Sequence, residues 1–143
     1  MKRRITAILT ALSMLTTVGA TTVSAAAPTS VEQFAGNYQC PAGSTGVDPV
    51  VSGTYALVGG GSITITVIST TMGDTFNFTT SDATVGSIVV KGGTGYLTYM
   101  YTAATSDSGL HAPLNLKNRN NQWYGLSHLC IQSAKKGAPG PKK

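Results

Sequence analysis

A chain of 143 residues that is 41% hydrophobic, 10% charged and 7% aromatic excludes a multidomain enzyme, a coiled coil and a highly charged disordered tail. Its 17 glycines and two cysteines, in a Ser/Thr-rich text, suit short strands joined by tight turns. The formal net charge of +5 sits mostly at the two ends, so it does not describe the body of the protein.

Met1-Lys2-Arg3-Arg4 is a positive start, Ile5 to Val18 is apolar with small hydroxyl residues interspersed, and Val23-Ser24-Ala25 supplies the small residues that a signal peptidase reads. Residues 1–25 are therefore expected to be a cleaved export signal. Thr6, Thr10, Ser13, Thr16 and Thr17 interrupt a stretch already shorter than the roughly 20 residues that span a bilayer, and no second apolar span follows. A soluble product, secreted or periplasmic, is the expectation. Cleavage would lower the formal charge from +5 to +2. Four of the remaining basic residues (Lys135, Lys136, Lys142, Lys143) belong to a segment, 134–143, with no periodicity to fold with, which reads as a flexible tail. The body, 26–133, then carries Lys91, Lys117 and Arg119 against Glu32, Asp48, Asp74, Asp82 and Asp107. A slightly acidic body argues against a nucleic-acid groove.

Along the body, Phe34 to Cys40 reads as a first strand. A meander of five follows: Thr54 to Val58, Ser62 to Thr70, Thr75 to Thr80, Ser87 to Lys91 and Tyr96 to Thr102. Ile63, Ile65 and Val67 alternate with Thr64 and Thr66, and Phe76 and Phe78 share one face. A hairpin of Leu114 to Lys117 and Gln122 to Ile131 closes the series. The expected fold is all-β, a small antiparallel up-and-down barrel of about eight strands, with a β-sandwich as the alternative. Pro41 to Ser52 and Ala103 to Pro113 exceed hairpin length and read as loops. In an exported chain, Cys40 and Cys130 are expected to form one disulfide, which brings the ends of the body together.

No catalytic signature stands out. There is no Gly-x-Ser-x-Gly elbow, and Asp107, Ser108 and His111 share a segment where Ser108-Gly109 reads as a turn. Asp48, Asp74 and Asp82 also lie in turn-like contexts. His111 and His128 lack a His-x-x-x-His or Cys-x-x-Cys spacing, so neither a metal nor a cofactor is expected. The sequence reading is a non-catalytic binding module for a small apolar molecule or a glycan. Trp123, Tyr124, Tyr99 and Tyr101 would supply contact surface, and His128, on the strand face shared with Cys130, a polar group. The alternative is a protein-facing module, such as an inhibitor of a secreted hydrolase, acting through the two longer loops. On the predicted strand Tyr96 to Thr102, either Tyr96 with Met100 or Leu97 with Tyr99 and Tyr101 must look outward.

Two short resemblances accompany this reading. Phe34-Ala-Gly36-Asn-Tyr38 resembles the Gly-x-Trp opening of lipocalin-like and avidin-like barrels, with Tyr38 at the Trp position, which implies a small hydrophobic ligand inside a barrel. Tyr38-Gln-Cys40, Ser108-Gly109, Trp123 and Cys130 are similar to exported lysozyme-inhibitor barrels. Their inhibitory loop carries Ser-Gly-x-x-Tyr, and here Ala112 follows His111 where that tyrosine is expected.

Overall fold

The computed structural model describes residues 25–134. Except for Ala25 and Ala134, the predicted leader and basic tail lie outside the described residues. Nine strands form: β1 (Ser30–Ala35), β2 (Thr45–Val47), β3 (Gly53–Ala56), β4 (Ser62–Thr70), β5 (Gly73–Ser81), β6 (Val85–Gly92), β7 (Gly95–Ala104), β8 (Ser106–His111) and β9 (His128–Ser133). All pairings are antiparallel, and they build two sheets, β1-β7-β6-β9-β2 and β3-β4-β5-β8.

The expected all-β antiparallel class holds, but in its sandwich form. β1 and β2 end one sheet and β3 and β8 the other, so the sheets do not close into a barrel. The meander divides after β5. There Asp82 adopts a positive φ of 57°, the Thr80 hydroxyl donates to the Ala83 carbonyl, and the chain leaves one sheet for the other. Val85 then pairs with Ala104 and Ser133 instead of with β5.

Binary patterning fixes which faces meet. Ile63 and Ile65 are fully buried while Thr64 and Thr66 are exposed, and Phe76 and Phe78 are sealed beside them. From the five-stranded sheet come Ile88, Val90, Leu97, Tyr99, Tyr101, Leu129 and Ile131. Thus Leu97, Tyr99 and Tyr101 face the core and Tyr96 and Met100 face outward. Every buried side-chain nitrogen and oxygen among the described residues has a hydrogen-bond partner.

Two expected loops are structured. Ala103 to Pro113 contains the end of β7 and all of β8, which are separated by Thr105 alone. Ser108-Gly109 does not turn the chain. It forms a bulge, because β5 advances from Phe76 to Phe78 while β8 advances from Leu110 to Asp107. Gly109 takes a φ of +72°, and its amide donates to Asn77 Oδ1. Pro41 to Ser52 contains β2. Conversely, the predicted hairpin of Leu114 to Lys117 with Gln122 to Ile131 reduces to a single bridge, Lys117 to Trp123, followed by β9. Asn118 takes over the work of a ladder here, its carboxamide oxygen accepting from the amides of Asn120 and Gln122.

The disulfide is present, with Cys40 and Cys130 Cα atoms 5.2 Å apart. Its role follows from topology. β1 and β2 lie on opposite edges of a five-stranded sheet, four steps or about 19 Å apart. The residues from Gly36 to Ser44 must bridge that width. They cross the outer face: Tyr38 packs on outward-facing Tyr96 with ring centroids 4.9 Å apart, and Cys40 bonds to Cys130, whose neighbours Leu129 and Ile131 face the core. Val89 pairs with Cys130 on this outer face, so the strap's anchor lies beside it, and Ile88, Val89 and Val90 are all buried in succession.

Bridging residues 90 apart in sequence restricts the unfolded chain by about 4 kcal/mol in the loop-entropy description. The Cys40→Ser/Cys130→Ser double variant is expected to lose about 2–5 kcal/mol in urea unfolding; a loss below 1 kcal/mol would show that the strap holds without its sulfur bond.

Candidate functional site

The side chains proposed from sequence as ligand contacts occupy four separate settings. Tyr99 and Tyr101 belong to the core, each 6% exposed, and their hydroxyls join β7 to β8 across the sandwich. Tyr99 donates to the His111 carbonyl at 3.2 Å and accepts from the His111 amide at 3.1 Å. Tyr101 donates to Asp107 Oδ2 at 2.8 Å. Burial pushes both phenols above their ordinary range, and for Tyr101 the adjoining Asp107 carboxylate adds to the shift. Phe78 packs edge-on against Tyr101.

Trp123 is half-buried against His111, with centroids 5.5 Å apart, and His111 in turn meets Tyr99 edge-on. The Trp123 backbone amide donates to the Met72 carbonyl. A Cβ on Gly73, whose φ is +134°, would stand 3.1 Å from Trp123 Cβ. Tyr124 lies on the turn between β6 and β7, where a Cβ on Gly93 would fall 2.6 Å from its ring. Trp123 and Tyr124 are thus each seated on a glycine. His128 lies beneath the strap and bonds through Nε2 to the Tyr38 carbonyl at 2.9 Å.

The acid, hydroxyl and imidazole residues of β8 do not assemble a relay. Asp107 accepts from Tyr101 through one oxygen and from the Ser108 amide through the other. His111 Nδ1 bonds to the Ala112 carbonyl. The imidazole is held at its proton by a backbone carbonyl and the aspartate by two donors, and no hydrogen bond joins the two side chains.

Sequence reasoning missed the largest of the cavities described. It measures about 540 Å³ and lies along β5 and β8, lined by Asn77, Phe78, Thr79, Thr80, Thr105, Ser106, Asp107, Ser108 and Ala25. The Gly109 bulge shapes its floor: Asn77 Oδ1 is fixed by the Gly109 amide, and Asp107 is fixed by Tyr101 and Ser108. The Thr80 amide donates to the Thr105 carbonyl, which ties the two walls together. Nearby, the Ala26 amide donates to the Ser106 carbonyl. Reading Ala103 to Pro113 as a loop concealed this cleft; the alternation of Leu110 with polar neighbours was the available signal.

A second cavity, about 210 Å³, lies under the strap and is bordered by Tyr38, Cys40, Asp48 and His128. A third, about 320 Å³, borders Asp82 and Ser133. Comparison of the chain with protein-family models, curated proteins and solved structures returned no match. No helix among the described residues is long and apolar enough to cross a membrane.

The raised phenols give a pH dependence of definite sign. A folded-state pKa above the unfolded value contributes stability that is complete below about pH 10 and is lost as pH rises beyond it. Of the six tyrosines, Tyr99 and Tyr101 are expected to ionise only as the protein unfolds in alkali, read by absorbance near 295 nm. Tyr101→Phe should cost about 1–3 kcal/mol at neutral pH and flatten the alkaline loss; an unaltered alkaline profile would contradict the buried Tyr101–Asp107 bond.

Proposed function

We propose that this chain is an exported, non-catalytic binding module that takes a hydroxyl-rich ligand, a glycan, in the cleft along β5 and β8. The observation that carries the reading is that cleft: its volume of about 540 Å³ falls within the size of small-ligand sites, and of its described lining only Ala25 would leave with the signal segment. Its walls supply amide, hydroxyl and carboxylate groups from Asn77, Thr79, Thr105, Ser106 and Asp107. Sugar hydroxyls both donate and accept, so a wall of mixed donors and acceptors held in place by the scaffold suits them. Asp107, oriented by two bonds, accepts without needing to move. Export is supported by the N-terminal sequence and by the disulfide.

Of the two ligand classes read from sequence, the glycan is favoured over the small apolar molecule. An apolar ligand would need the space between the sheets, and that space is filled by Phe76, Phe78, Ile63, Ile65, Ile88, Leu110, Leu129 and Ile131, all below 2% exposed. The protein-facing alternative has its own observation. Met72, Leu114 and Tyr124 are each about 40% exposed, and Met72 adjoins Trp123 through a backbone bond, which gives an apolar contact area apart from the cleft.

Amide chemical-shift mapping against a panel of neutral oligosaccharides tests the proposal. Shifts confined to residues 77–80 and 105–108 are expected, and Thr79→Trp, which fills the cleft from an exposed position, should abolish them while leaving the unfolding midpoint unchanged. Shifts centred on Trp123 and Tyr124, or none with any glycan, would overturn it.

A further inference from the structure

We propose that reduction of the Cys40–Cys130 disulfide converts the underside of the strap into a site for a soft univalent metal ion, Cu(I), held by Cys40, Cys130 and His128. Three observations carry this. First, β9 presents His128 and Cys130 on the same face, because the intervening Leu129 is fully buried in the core. Second, the strap delivers Cys40 to that pair, so the two sulfurs and a ring nitrogen of His128 all lie within 4.8 Å of one another. Ligands of one ion stand about 3.5–4 Å apart, given metal–sulfur bonds near 2.3 Å and metal–nitrogen bonds near 2.0 Å, so the two sulfurs, bonded to each other in the oxidised protein, must part by roughly 2 Å once reduced, a movement that the exposed strap carrying Cys40 can supply. Third, the Tyr38 carbonyl can only accept, so His128 Nε2 carries the proton in the bond between them. That makes Nδ1, which keeps its lone pair, the nitrogen the ion would have to take, and an imidazole whose other nitrogen donates to a backbone carbonyl is the usual arrangement of a metal-bound histidine.

The donor set selects the ion. Two thiolates and one imidazole make a soft, three-coordinate site, and among the described residues no further Cys, His, Asp or Glu joins the group. Zn(II) in a closed protein site takes four ligands, whereas thiolate-rich sets select Cu(I). The cavity of about 210 Å³ beside Cys40 and His128 gives the ion access, and Cys40, on the exposed strap, is the sulfur open to attack.

The chemistry balances with a dithiol as the reductant. One thiolate of the dithiol attacks Cys40 Sγ and the Cys130 sulfur leaves as thiolate. The second thiol then displaces Cys40, so the dithiol becomes a disulfide and the protein gains two electrons and two protons. Binding of Cu(I) releases the two thiol protons, leaving a site of net charge −1. In the oxidised protein the sulfurs are bonded to each other and the site is closed.

The test uses the full chain reduced with dithiothreitol, desalted without oxygen, and titrated with Cu(I) against bathocuproine disulfonate. One equivalent is expected to bind to the reduced protein and none to the oxidised one. X-ray absorption should show two sulfur neighbours and one nitrogen. His128→Ala should weaken binding by about tenfold or more and remove the nitrogen signal, while His111→Ala should change neither. Equal affinity and the same spectrum in wild type and His128→Ala would overturn the proposal, as would equal binding by oxidised protein. If reduction unfolds the chain, Cu(I) must restore the β-sheet circular dichroism in wild type more effectively than in His128→Ala; failure to do so is also contrary.

Discussion

Because β1 and β2 follow each other in the chain yet form opposite edges of one sheet, a short segment must cross the sheet's outer face, and it must be held there. Nine residues extend to about 30 Å, enough for a width of about 19 Å with about 11 Å left for rising over the sheet face. Left untied, the crossing would expose Val89 and the Cys130 side of β9 to water and surrender the register of three-residue β2. Two contacts tie it down midway: the aromatic stack of Phe34, Tyr96 and Tyr38, and the Cys40–Cys130 bond with the His128 hydrogen bond beside it. The sheet is therefore covered on both sides at its centre, by the second sheet within and by the strap without.

The two sides do different physical work. Within, aliphatic and aromatic side chains fill the space, and the phenols of Tyr99 and Tyr101 are accommodated because each finds a partner on β8. Without, polar groups, sulfur and aromatic rings mix, and chemistry other than packing becomes available. The two candidate sites follow this division. The β5–β8 cleft exists because a bulge at Gly109 lets β8 keep its pairing while Asn77 and Asp107 are locked in place. The sulfur and imidazole cluster exists because the strap passes over alternate residues of β9.

Local pattern was legible and long-range partnership was not. The alternation of Ile63, Ile65 and Val67 with threonines, and of Phe76 with Phe78, marks strands and their buried face without ambiguity, since the period of two is a local property. The lone pair of cysteines identifies the bond. Whether consecutive strands share a sheet depends on contacts far apart in sequence, which is why the turn at Asp82 reads like any other although it divides the sheets. A disulfide that joins front to rear fits a closed barrel. A strap over an open sheet satisfies the same distance, and spacing alone does not separate the two. Ser108-Gly109 illustrates a second limit: the same dipeptide serves a turn or a bulge, and the choice rests on whether Leu110 finds Phe76 across the ladder. The tyrosines of β7 were read as binding surface because aromatics on both faces cannot all be core; their hydroxyl partners on β8 lie several residues ahead in the chain and decide which face turns inward.

Nuclear Overhauser contacts in the oxidised protein test the central claim, that a tied strap crosses an open five-stranded sheet. The account predicts contacts from the Tyr38 ring to the Tyr96 ring and to the His128 side chain, with no backbone contact between Ser30–Ala35 and Thr45–Val47. Backbone contacts joining those two strands, with Tyr38 remote from Tyr96, would mean a closed barrel and would contradict it.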